Sequence, residues 1–592
     1  MALSLTHASC CSVFVLHWVD HKHNDRSGNY DKLGFREEQT ALLNLLKSCG
    51  RTKDLHKGRI MHSDVILKGL VPEDIYVGTA LISMYAKCGA FEEANIVFHN
   101  IPKALLSVVS WNALISGYSQ HGFGNEALVI FKEMRKHRVL PNTVTFTCAL
   151  KACGSTGSLR TGEEIHAEVT KQGLLEKNII LGNALVDMYA KCGLLRKAQE
   201  IFDQLPVRDV ISWSVLITGY AHHGLGGEAL KCFDQMRDEG ISPDSVTFIC
   251  VLKSCGCVGS LELGEEIHDE VRKQGLLEKN VVLGTALVDM YVKCGEFMKA
   301  EKVFEELPTQ SVGSWSALIS GYDHHGLGYE ALKCFQKMQD KGIAPDAVTF
   351  ICIFKACANM GSLQMGQEIH AEVCKQGLIE RNLVLANTLV DMYTKCGVLK
   401  KAREVFEVLP MRDVVSWNVL ISGYAQLGQI KKVFYLLCKM MAEGIMPSLV
   451  SFLLLLTACS HAGLVKEGQL VFKEMGSTYS LTPVSEHYAC MVDLFSRAGH
   501  FNQAMIMIGK VPSSERLTLC LAFLGACHKW INVDFGRWAF EQSVHLDGKC
   551  GAAYVCMRNI YSAVGMYAEA NEIEVRRIKN KAWEDTRMFW VD

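Results

Sequence analysis

Apolar positions along the chain recur at helical spacing. Between residues 108 and 142, Trp111, Leu114, Ile115 and Tyr118 mark one face, and Ala127, Leu128, Phe131 and Met134 mark a second. His121-Gly122 separates the two faces, and Pro141 closes the segment because proline lacks the N–H that a continuing helix needs. The pattern predicts helix, turn, helix. No long stretch alternates β-branched with polar residues, so strands are not expected.

This pattern is copied. Ser-Trp-Asn at Trp111 returns at Trp417, and as Ser-Trp-Ser at Trp213 and Trp315, each a step of 102 residues. His166, His268 and His370 keep the same step, as do Cys192, Cys294 and Cys396 and the set Cys153, Cys255 and Cys357. Turn signals at Pro141-Asn142, Lys177-Asn178 and Arg208-Asp209 divide each unit into pieces of 35, 36 and 31 residues, each one hairpin long. A lone hairpin cannot bury its apolar face, so neighbours must stack and share a core. The expected fold is all-α, an α-solenoid superhelix of helix-turn-helix repeats. Fourteen pieces tile residues 39–514, starting with 39–74 and 75–107; the second carries two extra residues near Ala104 to Ser107, at a hairpin exit. Residues 1–38 show no repeat and read as a leader or disordered arm. After residue 514 the register decays, although Leu519 to Cys527 and Tyr554 to Tyr561 still look helical.

Composition narrows the function. Of 592 residues, 61 are Lys or Arg and 63 Asp or Glu, a formal charge of −2, so nucleic acid would have to be held by local chemistry and not by a strong overall field. Apolar residues make up 49%, too many for a disordered chain, while runs such as Phe452 to Leu456 fall far short of a membrane span. The 24 cysteines are too few for a disulfide scaffold, no signal peptide opens the chain, and the thiols read as reduced packing residues. The Trp, Met and Tyr stripes read as core, and no cofactor box is implied. His166, His268 and His370 lack the short-spaced partners of a zinc site, so no metal is expected.

The 35/36/31 alternation, the Ser-Trp-Asn openings, Met188 to Gly193 (MYAKCG) and Glu164 to Val169 (EIHAEV) resemble the pentatricopeptide repeat family of land plants, over roughly 80% of the chain. The lengths look like its PLS subclass, in which ordinary, long and short motifs alternate. The tetratricopeptide signature is partly met by Trp111, Leu114, Tyr118, Ala127, Phe131 and Pro141, but that array keeps a period of about 34 residues, which the unequal pieces do not.

The resemblance implies a sequence-specific adaptor for single-stranded RNA, one base per repeat. It assigns reading to the fifth and last residues of each motif. In the ordinary pieces these are Asn112 with Asn142, Ser214 with Asp244, Ser316 with Asp346, and Asn418 with Ser448. In the short pieces they are Thr79 with Ser107, Asn183 with Asp209, Thr285 with Ser311, and Asn387 with Asp413. The chemistry suits bases: an amide both donates and accepts, and a hydroxyl beside a carboxylate suits an edge rich in N–H donors, such as guanine. The family's pairing rule implies uracil for 179–209 and 383–413, guanine for 210–244 and 312–346, and a pyrimidine for 108–142 and 414–448. Long pieces, with Thr147, Ile249 and Ile351 fifth, act as spacers. Each residue alone is also an ordinary N-cap or turn residue; variation at fixed places in otherwise copied units is what suggests reading.

Members of this subclass guide cytidine-to-uridine editing in organelles, and some end in a zinc deaminase built on H-x-E and P-C-x-x-C. His166-Ala167-Glu168, His268-Asp269-Glu270 and His370-Ala371-Glu372 match the first half but lie inside the repeat, and none of the eleven prolines precedes Cys. No catalysis is expected, and no small-molecule substrate or membrane partner. Residues 515–592 resemble the family's E extension, with Ala526-Cys527, Asn532, Gly536 and Asn559-Ile560-Tyr561 in place. Cys520, Trp530, Tyr567 and Asp585-Thr586-Arg587 depart from its pattern. The resemblance therefore implies a guide for a deaminase supplied in trans through a worn extension, in the mitochondrion or else the chloroplast. An RNA stability or splicing factor, and a protein-binding scaffold, remain the alternatives.

Overall fold

The computed structural model describes residues 32–67 and 74–582, and the chain divides into two compact units, residues 1–270 and 271–592. Among the described residues there are 32 α-helices and two 3₁₀ turns, with no strands. The α-helices follow one another as antiparallel hairpins: fourteen from Lys32 to Gly509 and two more from Arg516 to Lys579. The first helix begins at Lys32, inside the stretch read as an arm; residues 1–31 lie outside the described part, as does Asp585-Thr586-Arg587.

The hairpin Val108–Gln120 with Gly124–Lys136 shows why the sequence folds so. Ser107 caps the first helix by accepting from the Ser110 N–H. Trp111, Leu114, Ile115 and Tyr118 are buried on it, as are Ala127, Leu128, Phe131 and Met134 on the second helix. Between them Gly122 takes φ +83°, a left-handed value that a side chain would strain. The two extra residues of the 75–107 piece fall in the 3₁₀ turn Lys103–Leu105, after which Leu106 is buried.

Within each unit the first helices of successive hairpins pack side by side, and the second helices lie against the first helices around them. This is the stacked layer arrangement of an α-solenoid. Glycine permits the close approach of first helices. A Cβ on Gly321 would stand 1.5 Å from Val292 Cγ1, and one on Gly117 would stand 2.5 Å from Ala86 Cβ. The repeated tryptophans then seal each joint. Trp111, Trp213, Trp315 and Trp417 meet Phe98, Phe202, Phe304 and Phe406 of the preceding hairpin edge to face, with centroids 4.8, 4.6, 4.6 and 4.7 Å apart.

Candidate nucleic-acid interface

The last residue of each ordinary or short piece is the N-cap of the next first helix. Ser107, Asn142, Asp209, Asp244, Ser311, Asp346, Asp413 and Ser448 all accept from the N–H three residues on. Capping and pairing are therefore not rival roles, because the fifth residue of the preceding hairpin reaches the same cap. Asn112 Nδ2 donates to Asn142 Oδ1 at 3.0 Å, Asn183 Nδ2 to Asp209 Oδ1 at 3.3 Å, and Asn418 Nδ2 to Ser448 Oγ at 3.4 Å. Ser214 and Ser316 reach Asp244 and Asp346 chiefly through Thr247 and Thr349, at 2.6 and 2.7 Å, with Ser214 also 2.7 Å from Val210 O and both serines 3.4 Å from the aspartates themselves, and the Asn387 amide bonds the Asp413 carboxylate. Thr79 reaches Ser107 indirectly, through Ser110 at 2.7 and 3.2 Å. Thr285 instead donates back to Val281 O at 2.9 Å, so its pair with Ser311 is not joined.

Depth differs within each pair. Asn112, Asn183, Ser214, Ser316, Asn387 and Asn418 are only 6–8% exposed, while the caps are exposed or half-exposed. A ligand thus meets the cap first and the tip of the fifth side chain second. Burial alone would raise the Asp209 carboxyl, but bonds from the Ser212 N–H, the Ser212 hydroxyl and the Asn183 amide outweigh it and hold the group below the usual carboxylate range. Ser416 and Asn387 do the same at Asp413. Both carboxylates are charged at neutral pH.

Three further sets belong to the site and were not anticipated. A buried hydroxyl stands third in each following first helix: Ser110, Thr145, Ser212, Thr247, Ser314, Thr349, Ser416 and Ser451. Its sequence signal is the Ser or Thr immediately before each repeated aromatic. The second residue of most first helices is an exposed aliphatic, including Val109, Val144, Ile180, Ile211, Val246, Val282, Val384 and Val415. Lying three residues before the fifth, it shares that face of the helix. Lys151, Lys253 and Lys355 are exposed four residues beyond the fifth position of the long pieces. Lys191, Lys293 and Lys395 lie eight beyond it in the short ones, each bonded to an Asp at 2.7–2.9 Å.

The long pieces differ throughout. Their fifth residues are Thr147, which donates to Thr143 O at 2.8 Å, Ile249 and Ile351. Their caps Asn178, Asn280 and Asn382 face a helix whose third residue is Leu181, Leu283 or Leu385, without a hydroxyl. As for the H-x-E tripeptides, His166 and His370 are occupied by bonds to Tyr189 and Tyr393 at 3.0 and 2.8 Å. In the last two hairpins Cys520 and Cys527 are buried, Asn532 caps Val533–Leu546, and Trp530 and Tyr567 stand exposed at the turns.

The profile described as "PPR repeat family" matches residues 106–155, 208–257, 310–359 and 412–476. That described as "PPR repeat" matches residues 79–103, 183–210, 285–312 and 384–414. A mitochondrial pentatricopeptide repeat-containing protein of Arabidopsis thaliana is 35% identical over 92% of this chain and 78% of its own length. The chain belongs to the pentatricopeptide repeat family. A chloroplastic member from the same plant is 35% identical over 90% of this chain and 65% of its own length, and a second mitochondrial one is 33% identical over 89% and 94%. Those names agree with the expected organellar location. Among solved pentatricopeptide repeat proteins, PPR10 in complex with an 18-nt psaJ RNA element superposes with a TM-score of 0.54 at 17% identity, over 92% of this chain and 84% of that one. It shares the fold.

Proposed function

We propose that this pentatricopeptide repeat protein is a sequence-specific adaptor for single-stranded RNA of the mitochondrion or chloroplast. In this reading it is of the PLS type and marks a cytidine for conversion to uridine by a deaminase supplied in trans. The observation that carries it is the row of polar pairs, six of them linked by hydrogen bonds with a deep fifth residue and a shallow cap, and five of those six beside an exposed aliphatic on the same helix. A splayed base offers an edge of donors and acceptors and two apolar faces. The pair suits the edge, the second-residue valines and isoleucines suit a face, and the first-helix lysines suit phosphate. Relatives with organellar names support the location, and a neighbour solved with an RNA element supports the ligand class.

From residue 108 onward the pairs spell pyrimidine-N-U-G-N-N-G-N-U-pyrimidine. Affinity for an RNA of that order should exceed that for one with both guanines changed to uracil by roughly a hundredfold, two mismatches at about 1–3 kcal/mol each. Equal affinities would overturn sequence reading. A pull-down with and without RNase separates this from a protein scaffold, since partners held through RNA are lost on digestion. Sequencing organelle transcripts from a knockout separates editing from stability or splicing. Exposed Trp530, Ile531 and Tyr567 on the extension are the surface proposed to meet the editing partner.

A further inference from the structure

Where each ordinary piece joins the short piece before it, the tyrosine near the end of its first helix is tied down in three of the four copies. Asn95 Nδ2 donates to Tyr118 Oη at 2.6 Å, Tyr220 Oη donates to Gln199 Oε1 at 3.0 Å, and Tyr322 Oη donates to Glu301 Oε1 at 2.5 Å. The fourth copy breaks the rule. Arg403 stands where those partners stand, but its Nε donates to Glu407 on its own helix at 2.7 Å, and no hydrogen bond joins it to Tyr424. A cavity of about 110 Å³ opens at that joint, with Phe406, Tyr424, Tyr435 and Leu436 among its walls. Arg403, Glu407, Lys432 and Lys439 are the charged residues on its lining.

The charge at this joint is reversed as well. The four charged positions hold Asn95, His99, Glu126 and Glu133 in the first copy, Gln199, Asp203, Glu228 and Gln235 in the second, and Glu301, Glu305, Glu330 and Lys337 in the third. With histidine neutral, each of those sets carries −2, and the fourth carries +2. Among the described residues Lys432 and Lys439 form no ion pair; their ammonium groups lie over the rings of Tyr424 and Trp417, at 5.2 and 5.9 Å. Glu407, the one carboxylate on the lining, is engaged by Arg403. Tyr435, 61% exposed, stands where the other copies have Val129, Lys231 and Lys333, so the fourth copy also adds an aromatic ring at the surface of the cavity.

We propose that this joint is a docking pocket for an acidic peptide segment of a partner protein, with one aromatic side chain of that segment seated in the cavity. The space suits a single ring, since an apolar-walled cavity of about 150 Å³ takes benzene. Carboxylates flanking the ring then meet Lys432 and Lys439, whereas the glutamates at the Lys432 position in the other copies would repel them. The Tyr424 hydroxyl offers the peptide backbone a bond that its three counterparts already make within the protein. A nucleic-acid strand fits less well, because it needs a basic track that continues, and the preceding joint of the same compact unit carries −2. None of the lining residues is a fifth or last residue, so the pocket is separate from the row proposed to read RNA.

The probe is a fluorescein-labelled peptide with one phenylalanine between runs of glutamate, and the readout is its anisotropy on the full chain. Arg403→Gln, Lys432→Glu and Lys439→Gln together give the joint the second copy's residues at these positions, a set this chain already folds, and helical circular dichroism shows that the triple variant is folded. The triple variant should bind the peptide more weakly by roughly tenfold or more. Replacing the peptide's phenylalanine by alanine should weaken binding to wild type by a similar factor, since a ring in a pocket carries much of such an interface. Added salt should weaken wild-type binding and leave the triple variant's nearly unchanged. No binding by wild type overturns the proposal, as does equal binding by the triple variant or by the alanine peptide. The RNA of the order given above should bind wild type and triple variant alike; an RNA affinity that falls in the triple variant makes the patch a nucleic-acid contact and overturns the proposal too.

Discussion

Trp111, Trp213, Trp315 and Trp417 are buried with their indole N–H groups unpartnered, an arrangement that costs about 1–3 kcal/mol for a typical polar group. The ring area and the edge contact with the preceding phenylalanine outweigh that cost. Trp315→Ala should therefore lose about 3–5 kcal/mol, while Trp315→Phe should lose clearly less, because no hydrogen bond goes with the indole; urea denaturation followed by circular dichroism reads both. Equal losses would show that the N–H has a partner. The sequence made these tryptophans legible as core from their spacing, and the fifth and last residues legible as a varying set. It could not give depth: Asn112 and Asn142 look alike on paper, and only packing makes one buried and the other exposed. Nor could it join Thr145 to Asn112, since a hydroxyl before an aromatic reads locally as a helix cap and its second partner lies 33 residues away.

Between elements, two kinds of joint alternate. Where a first helix of an ordinary piece meets its predecessor, glycine lets the backbones close. Gly321→Ala should destabilise by about 1–3 kcal/mol, with Val292→Ala recovering part of the loss in the double variant, as thermal melts would show. Where a long piece meets a short one, a histidine does the joining: His62, His166 and His370 bond Tyr85, Tyr189 and Tyr393 at 2.9, 3.0 and 2.8 Å. Burial lowers the pKa of all three below the ordinary histidine value. The unfolded chain then binds protons that the folded chain refuses, so their stabilisation is complete above about pH 6.5 and is lost as the pH falls below that value toward the folded pKa. Melting temperature should drop between pH 7.5 and 5.5, and His166→Gln with His370→Gln should flatten that slope. A slope unchanged in the double variant would put its origin elsewhere. The register of these hairpins was legible from the 102-residue period, down to the two extra residues taken up by the turn Lys103–Leu105. Past residue 514, where the landmarks fade, helical periodicity still betrayed helices but not their pairing into two further hairpins.

At the scale of the molecule, stability within each compact unit is a sum over neighbours, since a hairpin there touches chiefly the ones before and after it. Such a chain loses cooperativity as it lengthens, and two compact units invite separate transitions. Urea unfolding should be broad, with an m-value well below that of a single cooperative unit of 592 residues, and tryptophan fluorescence should not coincide with circular dichroism. One sharp, coincident transition would contradict this. Family and fold were legible because copied landmarks survive in every repeat. The partner and the transcript were not, because they depend on side chains that vary by design of the array.

On the proposed reading of RNA, each base is met across a seam. The fifth residue belongs to one hairpin, while the cap and hydroxyl start the next, so the proposed module runs from residue 112 to 145 and not from 108 to 142. Grafts or natural recombination that cut at the apparent motif edge would join half of one reader to half of another. Cuts between the third and fifth residues of a first helix would transplant every reader whole, which makes that short stretch the natural splice point for rewriting such arrays.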